Sequence, residues 1–325
     1  MYSDIWPPVH VFIDWDGTIT ERDTLGEVVK AGYKKNPATQ PWGNFVSAYL
    51  EDYRVHQASY TPAKDQRKTI KEESAWLESL LEVETRSVER VRDAGLFLGL
   101  NKNDMLDAAA EAVDNGNVQF RKGWKELFFS GLSPPAEPVP AMGRDGLRFH
   151  IVSVNWSANF IKGCIFHASM LSRSVDVMRA LVPMVHLANE IPNVERATCG
   201  LDKDDVTVRT SADKVRMIEK ALHEPALGKT DARKPILVYI GDSCTDLDAL
   251  LYVDYGICIR DEPMGSGQKE LAETLERVGV SVNPLSELEL LSSSQGASIK
   301  TLWWARDLKE VSDFLSRILG TVKDW

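Results

Sequence analysis

Six residues of this 325-residue chain have the types and spacing for chemistry: Asp14, Asp16, Ser153, Lys214, Asp242 and Asp246. Asp14 and Asp16 end the apolar run 9–13 and are followed by Gly17 and Thr18, while Asp242 and Asp246 stand one helical turn apart just after the apolar run 235–240. Taken singly, each has a plainer reading. Asp16-Gly17 is a turn, Ser153 a strand-end hydroxyl and Lys214 a solvated helix residue. Taken together they point elsewhere, because four carboxylates in one small volume cannot all stay ionised without a counter-charge. A hard divalent cation is the natural one, and Mg2+ takes a few carboxylates together with waters and a substrate phosphate. A carboxylate beside Mg2+ and a phosphoryl group can attack phosphorus in line and form an aspartyl-phosphate. A second carboxylate can protonate the leaving alkoxide and then deprotonate the water that releases phosphate. A hydroxyl and a lysine would bind the remaining phosphoryl oxygens.

These groups need a scaffold that brings distant positions together, and the apolar runs supply one. Val9–Ile13 is short, β-branched and aromatic, and it is followed at once by turn residues, as expected of a buried strand in a parallel sheet. Comparable runs predict strands at 147–154, 185–191, 235–240 and 255–259. In an open α/β sheet, ligands bind outside the carboxyl ends of the strands, where Asp14, Asp16, Ser153, Asp242 and Asp246 would converge. A helix is expected from Lys214 to about His223, with Ser211 and Asp213 as caps, and another from Asn155 to Leu171 with Asn155 or Ser157 as its cap. Residues 21–119 carry helical apolar spacing, such as Trp76, Leu77, Leu80 and Leu81, broken at Asn36-Pro37, 40–43 and 60–62. From Pro263 onward the chain reads as mostly helical, with loops at 282–284 and 292–294. Trp303, Trp304, Leu308, Val311, Phe314, Leu315 and Ile318 are assigned to one helix face. The proline-rich stretch 132–142 reads as a loop, and 195–209 as a small hairpin.

Bulk composition narrows the field. The length suggests about two domains. A net charge of −10 argues against nucleic acid or an anionic membrane as partner. No basic leader precedes an apolar core, and no apolar run approaches about 18 residues, so a cytoplasmic protein is expected. The four cysteines lack a C-x-x-C pair, and the six histidines lack ligand spacing, which suits free thiols and structural imidazoles.

With those residues in view, the chain resembles the haloacid dehalogenase superfamily on its phosphatase side. The family's D-x-D-G-T motif is matched by Asp14-Trp15-Asp16-Gly17-Thr18 and its strand-ending Ser or Thr by Ser153. Its helix-start Lys is matched by Lys214 and its G-D-x-x-x-D by Gly241-Asp242 through Asp246, all in the family's order. The resemblance implies an α/β Rossmann-like core with strand order 3-2-1-4-5, formed by 1–20 and 120–325, the helices from about 263 packing on it. Residues 21–119 would be an inserted all-helical cap of the phosphoserine phosphatase branch. It also implies roles: Asp14 as nucleophile, Asp16 as general acid/base with its backbone carbonyl on Mg2+, Asp242 as metal ligand, and Asp246 supporting the metal site or orienting Lys214. Asp23, nine positions after the nucleophile, would contact substrate from the cap, or cap its first helix. Val154-Asn155 stands where relatives commonly carry Gly-Gly, and Arg121-Lys122-Gly123 where they carry Arg-Pro-Gly. The expected activity is Mg2+-dependent hydrolysis of a small phosphorylated metabolite. The rivals are a non-catalytic binding protein on the same fold and a phosphotransferase.

Overall fold

The computed structural model describes residues 8–129, 147–172, 185–191, 207–223, 234–288 and 301–323. The loop expected at 132–142, most of the hairpin expected at 195–209 and the loop expected at 292–294 lie outside these residues.

The strand β1, Val9–Ile13, is buried along its whole length in the interior of a seven-stranded sheet. On one side it pairs with β2, Leu147–Ser153, and through it with β3, Val185–Ala188. On the other it pairs with β4, Ile236–Gly241, then β5, Tyr255–Ile259. Every pairing is parallel, and the order β3-β2-β1-β4-β5 is the one expected. Alternation along β1 sends Val9, Val11 and Ile13 into the apolar core on one face and Phe12 into that on the other. His10 stacks on His150 at 5.2 Å between ring centroids, and burial holds the two imidazoles down at about 4 and about 3, so they are neutral structural groups.

Two strands extend the sheet beyond β5 and correct the helical reading of this region. They are β6, Ser281–Pro284, and β7, Thr301–Ala305, giving the full order β3-β2-β1-β4-β5-β7-β6. Trp303 and Trp304 therefore belong to a strand, paired with Ile257 and Cys258. The apolar spacing that joined them to the terminal helix ran through a boundary set by Asp307, whose carboxylate accepts from the amides of Lys309 and Glu310. Only from Leu308 onward does the helical face hold, burying Leu308, Val311, Phe314, Leu315 and Ile318.

Among the described residues six α-helices lie between β1 and β2. Five of them, α1 Leu25–Lys35, α2 Trp42–Ser59, α3 Ile70–Ser79, α4 Leu81–Asp93 and α5 Lys102–Asp114, form an insertion with no named strand. The sixth, α6, is Trp124–Phe129. Both ends of the insertion are tied together where Thr20 and Phe120 form an antiparallel bridge. The remaining helices flank the sheet: α7 Ala158–Leu171, α8 Ser211–His223, α9 Leu247–Tyr252, α10 Ser266–Arg277 and α11 Leu308–Lys323. Among the described residues no helix is long and apolar enough to cross a membrane.

Candidate active site

The carboxyl ends of β1 and β4 place Asp14 and Asp242 side by side. Gly17 permits this twice over: its φ is +73°, and a Cβ there would sit 2.4 Å from an Asp242 carboxylate oxygen. Gly241 does the same for the neighbouring acid, since a Cβ would lie 2.4 Å from Asp246 Cγ. Asp14, Asp242 and Asp246 thus bring one carboxylate oxygen each within 4.8 Å of one another.

Lys214 is the fixed cation of this cluster. Its side chain is fully buried, and Nζ donates to Asp14 Oδ1 at 2.8 Å and to Asp246 Oδ1 at 2.6 Å. Its helix starts at Ser211 rather than at Lys214, because the Asp213 carboxylate takes the amides of Arg209 and Thr210 and closes the first turn ahead of it. Burial pulls the ammonium's pKa down, but the two carboxylates outweigh it and the net shift is upward, so Lys214 stays charged.

Asp246 is saturated with donors. Its Oδ1 also accepts from Tyr239 Oη at 2.7 Å, and its Oδ2 from the amides of Asp242 and Ser243 at 3.0 and 3.1 Å. It therefore holds Lys214 and the β4 turn in place. Asp14 is raised well above the usual carboxylate range by burial and by Asp246 and Asp242, against the pull of Lys214. Asp242 is pushed up to about 7 by burial and by Asp246, with Arg121, Lys214 and a 3.3 Å hydrogen bond from Thr18 Oγ1 acting in the other direction. Two such acids want a further positive charge between them.

The Asp16 carboxylate is not in this cluster. Its Oδ1 accepts from the amide and hydroxyl of Thr24 at 2.7 and 2.6 Å, and its Oδ2 from Asn155 Nδ2 at 2.9 Å. Burial and the nearby Asp23 lift it to about 6, with those hydrogen bonds opposing. Trp15 is fully buried and donates to Thr24 Oγ1 at 2.9 Å. Ser153 lies at the end of β2, beside β1, and its Oγ accepts from the amide of Asn155 at 3.0 Å, leaving its own proton to donate. Asp23 is exposed, accepts from the amide of Leu25 at 2.8 Å at the start of α1, and also lines the cavity beside Asp16. Asp248 is turned away, accepting from Ser74 Oγ of the insertion. Burial pushes the Cys244 thiol up to about 12, which leaves it unreactive.

Residues not singled out as functional in the sequence complete the arrangement. The Arg121 guanidinium is buried and donates to the backbone carbonyls of Thr18 and Gly17 at 3.0 and 2.7 Å, and it is paired with Asp261. Asn155 and Thr24 hold Asp16, and Asn189 leaves β3 early because its amide ties Val154 O and Val208 O at 3.1 and 2.9 Å. Tyr239 had a signal, since it sits two positions before Gly241 on β4 and so shares a face with it.

No family model matches the chain. Cold tolerance protein 1 of Saccharomyces cerevisiae is 22% identical over 297 residues, covering 86% of this chain and 87% of that protein. A CTO1 family protein of Schizosaccharomyces pombe is 25% identical over 283 residues, covering 85% of this chain and 90% of that protein. Among solved structures, cytosolic 5'-nucleotidase IIIB bound to cytidine superposes with a TM-score of 0.50 at 12% identity, over 98% of this chain and 86% of that one. At that identity the likeness concerns the fold.

Proposed function

The fold is that of the haloacid dehalogenase superfamily, and on that premise we propose that this protein is a Mg2+-dependent phosphatase acting on a small phosphate monoester. The observation that carries the reading is the separation of Asp14 and Asp16 into unlike environments, one beside a buried ammonium and the other in a cradle of neutral donors. Two carboxylates whose surroundings assign them different tasks are the mark of a nucleophile paired with a general acid/base.

Asp14 attacks phosphorus, forming the carboxylate oxygen–phosphorus bond as the ester oxygen–phosphorus bond breaks. Asp16, held near 6, gives its proton to the departing alkoxide. The ionised Asp16 then takes a proton from water, which attacks phosphorus, releases inorganic phosphate and frees Asp14. Lys214 and the Ser153 hydroxyl bind phosphoryl oxygens, and Asp246 and Tyr239 hold Lys214 in position. The donor set of Asp14 and Asp242 fits a hard cation, with the Asp16 backbone carbonyl as a further oxygen and Asp246 in support. Bound there, Mg2+ would draw Asp14 toward its ionised form and neutralise charge on the transferring group. The insertion 21–119 serves as the cap over the site, and Asp23 sits at its entry.

Phosphate release from a panel of phosphorylated metabolites, with Mg2+ and with chelator, tests the proposal. Wild type is expected to hydrolyse a subset only with metal, and Asp14→Asn to hydrolyse none while folding normally. Unchanged turnover by Asp14→Asn would sink the assignment.

A further inference from the structure

A cavity of about 680 Å3 opens from Asp16, Asn155 and Thr245 and runs between the insertion and the ends of β2 and β3. Its size is that of a site for a drug-sized ligand. A phosphorylated three-carbon acid would leave most of it to water. The far wall is aromatic: Trp42, Phe45 and Tyr49 from α2, Phe97, and Trp156 from the turn after β2. Trp42 meets Trp156 edge to face at 6.1 Å and 79°, and Phe97 meets Trp156 at 5.9 Å and 84°. Both tryptophans are half-buried while lining the cavity, so each keeps ring surface for a ligand. The charge on the wall is as informative. Among the described residues five carboxylates line the cavity against two guanidiniums, Arg92 and Arg209, and Arg209 donates to Thr85 Oγ1 at 2.6 Å beside Glu84 and Glu89.

Resting on the phosphatase reading above, we propose that the alcohol carrying the phosphate bears a planar aromatic or heteroaromatic ring, seated against Trp42 and Trp156, and no second anionic group. The ring supplies apolar area and edge or face contacts that a polyol cannot. A substrate carboxylate would meet a wall with an excess of its own charge.

The test uses matched esters differing only in the ring: a nucleoside 5'-monophosphate against ribose 5-phosphate, and benzyl phosphate against ethyl phosphate, with phosphoserine as the doubly anionic case. The ring-bearing member of each pair is expected to have the higher kcat/KM. Trp42→Ala and Trp156→Ala should each raise its KM about tenfold and leave the ring-free member nearly unchanged, while Trp42→Phe restores most of the loss. Asp14-dependent turnover that favours ring-free esters or phosphoserine, or tryptophan variants that weaken both members alike, would overturn this inference and leave the phosphatase reading standing. If no ester is hydrolysed, that reading fails. Quenching of tryptophan fluorescence by the nucleoside monophosphate, and not by ribose 5-phosphate, would then support the ring site alone, and equal or absent quenching would overturn it.

Discussion

The proposed roles of single residues rest on what each carboxylate touches. Asp16 accepts three hydrogen bonds from neutral donors and is lifted to about 6 by burial, which makes it a proton donor near neutral pH. In Asp16→Asn the turnover of alkyl phosphates should fall by about 10²–10⁴. An aryl phosphate with a good leaving group should lose far less in its first step and show a burst of released phenol. An equal loss for both, with no burst, would remove Asp16 from proton transfer. Lys214 does different work, because it is the only cation the described residues place between Asp14 and Asp246. Lys214→Met would leave both carboxylates buried without their counter-charge, at a cost of about 3–5 kcal/mol, read as a lower urea midpoint with chelator present. Much of that loss should be recovered at acid pH, where Asp14, raised by burial, takes up a proton.

At the scale of elements, the insertion is clamped to the core from two sides. Glu73 of α3 is buried between Arg67 and Arg277 of α10, at 2.7 and 2.9 Å, and Arg67 lies 4.7 Å over the Trp76 ring. On the other side α5 packs on α7, where a Cβ on Gly163 would come within 2.7 Å of Ala109 Cβ. Glu73→Ala leaves two guanidiniums without their carboxylate and should destabilise the fold by about 3–5 kcal/mol. Gly163→Leu should cost about 1–3 kcal/mol by overpacking. Denaturant titration measures both, and a Glu73→Ala protein of wild-type stability would show that the clamp contributes nothing. Sequence reading recovered five of the seven strands, β1 to β5, because each is a short apolar run ended by a change to turn residues or acids. It missed β6 and β7 because Ser281–Pro284 is half polar and Trp303-Trp304 falls in phase with the helix that follows. It placed Asp14, Asp16, Ser153, Asp242 and Asp246 at the carboxyl ends of the strands and Lys214 at a helix start. It had no means of seeing that Thr24 and Asn155 grip Asp16, or that Arg121 grips the turn after β1. Those partners lie on different elements, 8, 139 and about 100 positions away, and share no periodic signal.

For the molecule as a whole, the proposed metal site would couple cation, proton and folding. Asp16 and Asp242, at about 6 and about 7, sit above the ordinary carboxylate value, so across this range the folded protein holds protons that the unfolded chain releases. Their contribution to stability is therefore present at low pH and lost as pH rises toward 7. A cation that occupies the cluster displaces protons from it and binds only the folded chain. The rise in Tm on adding Mg2+ should accordingly be small at pH 5 and largest near pH 8. A shift that is independent of pH, or absent in wild type at pH 8, would deny the cluster its metal. The central claim is that Asp14 is phosphorylated during turnover, and the most direct measurement is acid quench of an active reaction followed by peptide mass mapping. Asp16→Asn should be mapped alongside wild type, because it slows release of the phosphoryl group. The expected result is a phosphoryl group on the peptide carrying Asp14, enriched in Asp16→Asn and missing from Asp14→Asn. Phosphate released at full rate with Asp14 unmodified throughout would contradict the account.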